Sequence, residues 1–146
     1  MREIVIARAE HIPLVASLEA ATFDEPSSED SLASLFLGGS SFCAVCLENA
    51  ELLSYCTVVT VLDEAQIINV ATASSCLRRG LARATLDFVI DECKKRDIVS
   101  VSLEVRESNE AAIALYSGLG FTVAGKRRDF YKNPRENALV MIKKMD

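Results

Sequence analysis

Ile67-Ile68-Asn69-Val70-Ala71-Thr72, followed four residues later by Leu77-Arg78-Arg79-Gly80-Leu81-Ala82-Arg83, is the stretch on which the fold turns. The first run is apolar and largely β-branched, and the second opens a segment with helical periodicity, so the pair reads as strand, loop and helix start. At such a junction several amides lack an intrahelical partner and the helix dipole is positive. A pyrophosphate can therefore sit on the backbone, with Gly80 and Ala82 keeping side chains out of its way. No Gly-Lys-Ser/Thr follows, which excludes a nucleoside-triphosphate loop, and the Gly-x-Gly-x-x-Gly of dinucleotide sites is missing. Many strand-to-helix loops carry Arg-Arg-Gly and bind nothing, so the residues alone leave a structural reading open.

Outward from this junction the chain alternates elements. Residues 79–96 read as a long helix, with Ala82, Leu86, Val89, Ile90 and Cys93 on one face and Arg83, Asp87, Asp91 and Lys94 mostly on the other. Residues 99–106 read as a strand: Val99, Val101, Leu103 and Val105 point one way, Ser100, Ser102, Glu104 and Arg106 the other. A helix over residues 110–119 follows the capping pair Ser108-Asn109 and stops at Gly120. Strands over residues 121–126 and 138–143 would complete the sheet.

Toward the N-terminus, residues 3–7 read as a strand, residues 12–23 and 29–37 as helices, and Asp24-Glu25-Pro26-Ser27-Ser28 as a turn with a cap. Residues 41–72, interrupted at Glu48-Asn49-Ala50 and Asp63-Glu64, suggest three strands joined by tight hairpins. The expected architecture is α/β (α+β): a mixed, mostly antiparallel sheet of six or seven strands flanked by four helices. Its 146 residues suit one domain, residues 1–146.

Composition narrows the function. Half the residues are hydrophobic and a quarter charged, as in ordered globular proteins. Sixteen Lys and Arg against twenty-one Asp and Glu give a net charge of -5, which argues against general nucleic-acid binding and is compatible with a cationic substrate. No apolar run approaches the roughly 20 residues of a membrane helix. The first ten residues read as a strand rather than an export signal, so a cytoplasmic location is expected. Five cysteines, an odd count, then read as free thiols. Cys43 and Cys46 stand three apart in a strand, on opposite faces, which disfavours a shared metal. His11 has no Ser or Cys partner in a recognisable motif and reads as structural. No metal is expected.

Several further segments carry a resemblance: Leu62-Asp63-Glu64-Ala65, Asn69-Val70-Ala71, the residues from Arg78 to Arg83, and Leu103-Glu104-Val105-Arg106-Glu107-Ser108-Asn109. Ala111-Ala112-Ile113-Ala114-Leu115-Tyr116, Leu119-Gly120-Phe121, Arg127-Arg128 and Phe130-Tyr131 extend it over nearly the whole chain. Together they resemble the GNAT acetyltransferases, and within them the RimI group, which acetylates the N-terminal amine of a small-subunit ribosomal protein. The resemblance implies acetyl-CoA as co-substrate, held by the backbone of Val70, Ala71 and Thr72 along its pantetheine arm. Around its pyrophosphate it implies Arg78, Arg79, Gly80, Leu81, Ala82 and Arg83, with Asn109 as a further contact. It also implies Glu104 as general base and Tyr116 as general acid. The spacing agrees in part, because Asn109 and Tyr116, seven apart, share a helix face.

The same residues have plainer readings. Glu104 could be an edge carboxylate paired with Arg106 or another cation, Tyr116 a core aromatic and Asn109 only a cap. Asp24, Glu25, Glu29 and Asp30 suit either a solvated turn or a greeting surface for a basic peptide. The chain departs from the RimI pattern at Leu77, at Ser27 where Trp usually follows Pro26, and at Asn137, a position commonly acidic. The acceptor expected first is a protein N-terminus, with Arg127-Arg128-Asp129-Phe130-Tyr131 as the peptide-side stretch. A small amine such as a polyamine or aminoglycoside is a second reading, and a non-catalytic CoA-binding module a third. Nothing in the chain sets an oligomeric state.

Overall fold

A computed structural model describes residues 2–77 and 79–145. The chain begins with β1 (Arg2–Ile6), a short 3-10 turn, α1 (Ile12–Thr22) and α2 (Glu29–Leu37). The meander β2 (Phe42–Glu48), β3 (Glu51–Val61) and β4 (Glu64–Thr72) follows. Then come α3 (Leu81–Lys95), β5 (Ser100–Arg106), α4 (Glu110–Gly118), β6 (Thr122–Lys132) and β7 (Arg135–Lys144). The strands form one seven-stranded sheet in the order β1-β2-β3-β4-β5-β7-β6. All neighbours are antiparallel except β4 and β5. A mixed sheet with four α-helices is what the sequence led us to expect.

Local chemistry accounts for the joints. Asn49 and Ala50 take φ of 52° and 67°, the doubly left-handed backbone of a two-residue hairpin turn. Ser28 caps α2, its hydroxyl accepting the Ser31 amide at 3.1 Å. Asn109 caps α4 in the same way, through the Ala112 amide at 3.1 Å. Gly120, at φ 99°, supplies the left-handed residue after that helix.

The sheet separates two cores. On one face α3 and α4 bury Leu86, Val89, Cys93 and Tyr116 against Val58, Ile67, Leu103 and Met141. On the other, α1 and α2 bury Val15 and Leu32 against Cys43, Val45, Tyr55 and Ala71. Removing such a side chain from water is worth about 1.5–3 kcal/mol, so amphipathic patterning sets the layers. His11 is buried beside α1, its Nδ1 accepting the Arg8 amide at 2.9 Å, the structural part read for it.

Several boundaries differ from the sequence reading. The long helix starts at Leu81 rather than residue 79, because Gly80 sits at φ 74° and breaks the right-handed path. Val99 precedes its strand and is 49% exposed, so the buried face of β5 begins at Val101. The strand expected over residues 121–126 runs on to Lys132, and the last begins at Arg135. Pairing of Tyr131 with Glu136 and Lys132 with Arg135 carries them there, although Arg127-Arg128-Asp129 has no apolar alternation. Helix α4 ends at Gly118, with Leu119 as its cap.

Candidate active site

β4 and β5 are paired only at Glu64 with Ser100, Ala65 with Val101 and Gln66 with Ser102, and beyond those three positions they part. A β-bulge coincides with the parting: Val58 faces Ile67 and Thr57 faces Asn69, leaving Ile68 as the extra residue of β4. A bulge reverses the facing of all that follows it and sharpens the local twist. Ile67 accordingly packs toward α3, whereas Ala71 packs toward α1. Ile68 is pushed out, 45% exposed. Thr57 holds the bulge, its Oγ1 accepting the Asn69 amide at 3.1 Å. Backbone groups of β4 that would have met β5 are left facing a gap.

The gap is part of a cleft of about 660 Å³. Its lining includes Ile68, Asn69 and Val70 of β4, Leu103 to Arg106 of β5, Asn109, Ala112 and Tyr116 at α4, and Phe130 and Tyr131 of β6. Phe23, Asp24 and Glu25, from the loop between α1 and α2, line it as well. Four residues singled out for catalysis or cofactor contact, Val70, Glu104, Asn109 and Tyr116, therefore meet in one place with four singled out for the acceptor side, Asp24, Glu25, Phe130 and Tyr131.

Glu104 is held rather than free. Arg127 Nη1 lies 2.8 Å from its Oε2, and Gln66 Nε2 donates to its Oε1 at 3.3 Å. The pairing with Arg106 considered from sequence is not made. Arg106 instead binds Glu136 at 3.2 Å and the carbonyls of Asn133 and Pro134, tying down the β6–β7 turn. Tyr116 is both a packing and a cleft residue, 6% exposed, with its ring edge-on to Phe121 at 5.9 Å. Burial first, then the Cys56 thiol and Tyr131, push its phenol well above the ordinary value. Tyr131 is raised as well, by burial and then by the Glu104 carboxylate, against a lowering by Arg106.

The other described residues selected for cofactor binding lie outside this lining. Ala71 is buried, and Thr72 borders a second hollow beside α1. Gly80 begins α3 with no side-chain cap, so the first amides of the helix, from Leu81 to Arg83, have no intrahelical acceptor. A Cβ built on Gly80 meets nothing within 4 Å, which means that the space over this turn is open. Leu81 is 1% exposed and can offer a ligand only its backbone. The Arg79 guanidinium is turned toward Glu48, at 3.7 Å. Arg78 lies outside the described residues. The open backbone of β4 and the uncapped start of α3 together fit a long ligand with an amide-bearing arm and a pyrophosphate.

Sequence reasoning missed three contributors: Gln66, Arg127 as the partner of Glu104, and Glu19. Glu19 is fully buried and accepts from Tyr55, Asn69 and Ser27. Its spacing from Ile12 and Val15, both buried on α1, was a readable signal that it faces the core. Asn137 has a definite part: its Oδ1 accepts the amide of Asp129, which sits at φ 51°, at 3.0 Å. An acidic residue could accept there equally well. Among the described residues no group of three or more His, Cys, Asp or Glu is placed to hold a metal ion. Among them, too, no helix is long and apolar enough to cross a membrane.

Comparisons with known proteins agree with this fold. The Escherichia coli (strain K12) [ribosomal protein bS18]-alanine N-acetyltransferase is 44% identical over 96 residues, 64% of this chain and 65% of that protein's length. A relative from Bacillus subtilis (strain 168) is 33% identical over 135 residues, 92% of this chain and 89% of its own. The crystal structure of the ribosomal-protein-S18-alanine N-acetyltransferase from Escherichia coli superposes with a TM-score of 0.92 at 35% identity, covering 100% of this chain and 95% of that one. The model of the Acetyltransferase (GNAT) family matches residues 12–121, and the chain belongs to that family.

Proposed function

We propose that this protein transfers the acetyl group of acetyl-CoA to the N-terminal α-amine of a protein, a ribosomal protein first among candidates, with both substrates bound in the β4–β5 cleft. The observation that carries the reading is the parting of β4 from β5 beside Glu104 and Tyr116. The relatives' names supply the acceptor class. When bound, acetyl-CoA supplies an activated acyl group. The backbone of Val70, Ala71 and Thr72 binds its arm, residues 78–83 its pyrophosphate, and Asn109 adds a contact. A backbone amide near Val70 is suited to hold the carbonyl oxygen as charge builds on it.

Glu104 accepts the proton that the amine must lose to attack. An α-amine, with an ordinary pKa of about 7.7 to 8.0, asks little of that base, whereas a lysine near 10.4 asks much more. Arg127, now on Glu104, is the cation that an incoming ammonium group would replace. Tyr116, kept protonated by its burial, donates toward the departing sulfur. Asp24 and Glu25 on the loop between α1 and α2 favour a basic peptide. All five cysteines are free, in keeping with a cytoplasmic setting.

Glu104→Gln tests this reading because it keeps size and loses the base. With a basic peptide bearing a free α-amine, turnover should fall by about 100-fold, acetyl-CoA affinity should hold, and the loss should shrink at high pH where the amine is already neutral. Equal turnover and overlaid pH profiles would remove Glu104 from the chemistry.

A further inference from the structure

Glu19 is the one acidic side chain among the described residues that is fully buried, and the chemistry above makes no use of it. Three donors converge on its carboxylate. The Tyr55 hydroxyl donates to Oε2 at 2.9 Å and Asn69 Nδ2 to the same oxygen at 3.2 Å, while the Ser27 amide donates to Oε1 at 2.8 Å. The backbone carbonyl of Glu19 also accepts the Phe23 amide at 2.8 Å. One residue thus pins both ends of the loop from Phe23 to Ser27. Among the described residues, the Ser27 tether is the only hydrogen bond made by residues 24–27.

That loop supplies Phe23, Asp24 and Glu25 to the cleft, and Asn69, next to the bulge residue Ile68, lines the same cleft from β4. Glu19 therefore joins the loop to β4 through its two oxygens. Space-filling alone does not call for a carboxylate here, since an apolar side chain of similar size would fill the site without desolvating a charge. Three converging donors do call for one, because a carboxylate is acceptor-only and an amide would turn an N–H2 toward them. The bulge has its own support in the contact of Thr57 with the Asn69 backbone, so the wall offered to acetyl-CoA does not depend on Glu19.

We infer that Glu19 is a positioning residue for the acceptor: it sets the loop from Phe23 to Ser27 at the distance from β4 at which the first residues of the acceptor peptide fit. The inference rests on the acetyl-transfer reading given under Proposed function. Glu19→Gln should raise KM for a basic free-amine peptide by about tenfold or more and leave KM for acetyl-CoA within about twofold. Ser27→Pro removes the amide that Oε1 accepts and leaves the buried bonds to Tyr55 and Asn69 in place. It should give the same split, and it carries the test if Glu19→Gln does not fold. A Glu19 that only stabilises the fold would lower the melting temperature with both KM values unchanged or shifted together. That result, or an unchanged peptide KM in folded Ser27→Pro, overturns the inference alone. A parent enzyme that acetylates no peptide overturns the functional reading, and the inference with it.

Discussion

Tyr116 carries two loads that a single atom separates. Its ring packs edge-on to Phe121 in the core under α4, and its hydroxyl belongs to a residue lining the cleft. Tyr116→Phe keeps the ring and deletes the hydroxyl. Stability should change by no more than about 1 kcal/mol, the net worth of a typical hydrogen bond, whereas loss of a general acid should cost about 100-fold in turnover. Thermal unfolding and steady-state kinetics measured side by side check this; a full-rate variant would return Tyr116 to packing alone. At this scale the sequence was informative where spacing along one helix decides, as for Asn109 and Tyr116. It was silent where a contact spans distant strands. The partner of Glu104 proved to be Arg127 on β6 rather than Arg106 two residues away, because only the antiparallel ladder of β5, β7 and β6 brings Arg127 near.

At the scale of elements, the start of α3 is where local geometry and ligand binding meet. Gly80 stands at φ 74°, a backbone that a β-branched residue adopts only under strain, and above it is open space. Gly80→Val should weaken acetyl-CoA binding by about fivefold or more, both by straining the turn and by placing methyl groups where a pyrophosphate would approach. Gly80→Asn, which tolerates the left-handed region better, should lose less. Calorimetry on folded variants decides, and unchanged affinity in Gly80→Val would move the pyrophosphate elsewhere. The existence of each element was legible from periodicity and turn residues. The left-handed Gly80 that delays α3 was not, nor was the extension of β6 through Arg127-Arg128-Asp129, which depends on pairing with β7. The three-residue contact between β4 and β5 was likewise invisible, since no residue preference encodes where two parallel strands part.

Across the whole molecule, the acceptor follows from how the cleft is walled rather than from any one group. Acidic Asp24 and Glu25 stand on the loop held by Glu19 and share the cleft with Tyr131 and Phe130 of β6, and the chain carries a net charge of -5. Such a cleft favours a basic, extended acceptor with an amine that a carboxylate can deprotonate near neutral pH. The measurement that bears most directly on this account is kcat/KM for acetyl transfer from acetyl-CoA to three acceptors. They are a basic peptide with a free N-terminus, the same peptide with its N-terminus blocked and a lysine present, and a polyamine. The account predicts that the free N-terminus is preferred by about tenfold or more, the α-amine being more nearly neutral at cellular pH than a lysine ε-amine. A blocked peptide or polyamine acetylated as fast as the free N-terminus, or faster, would contradict it.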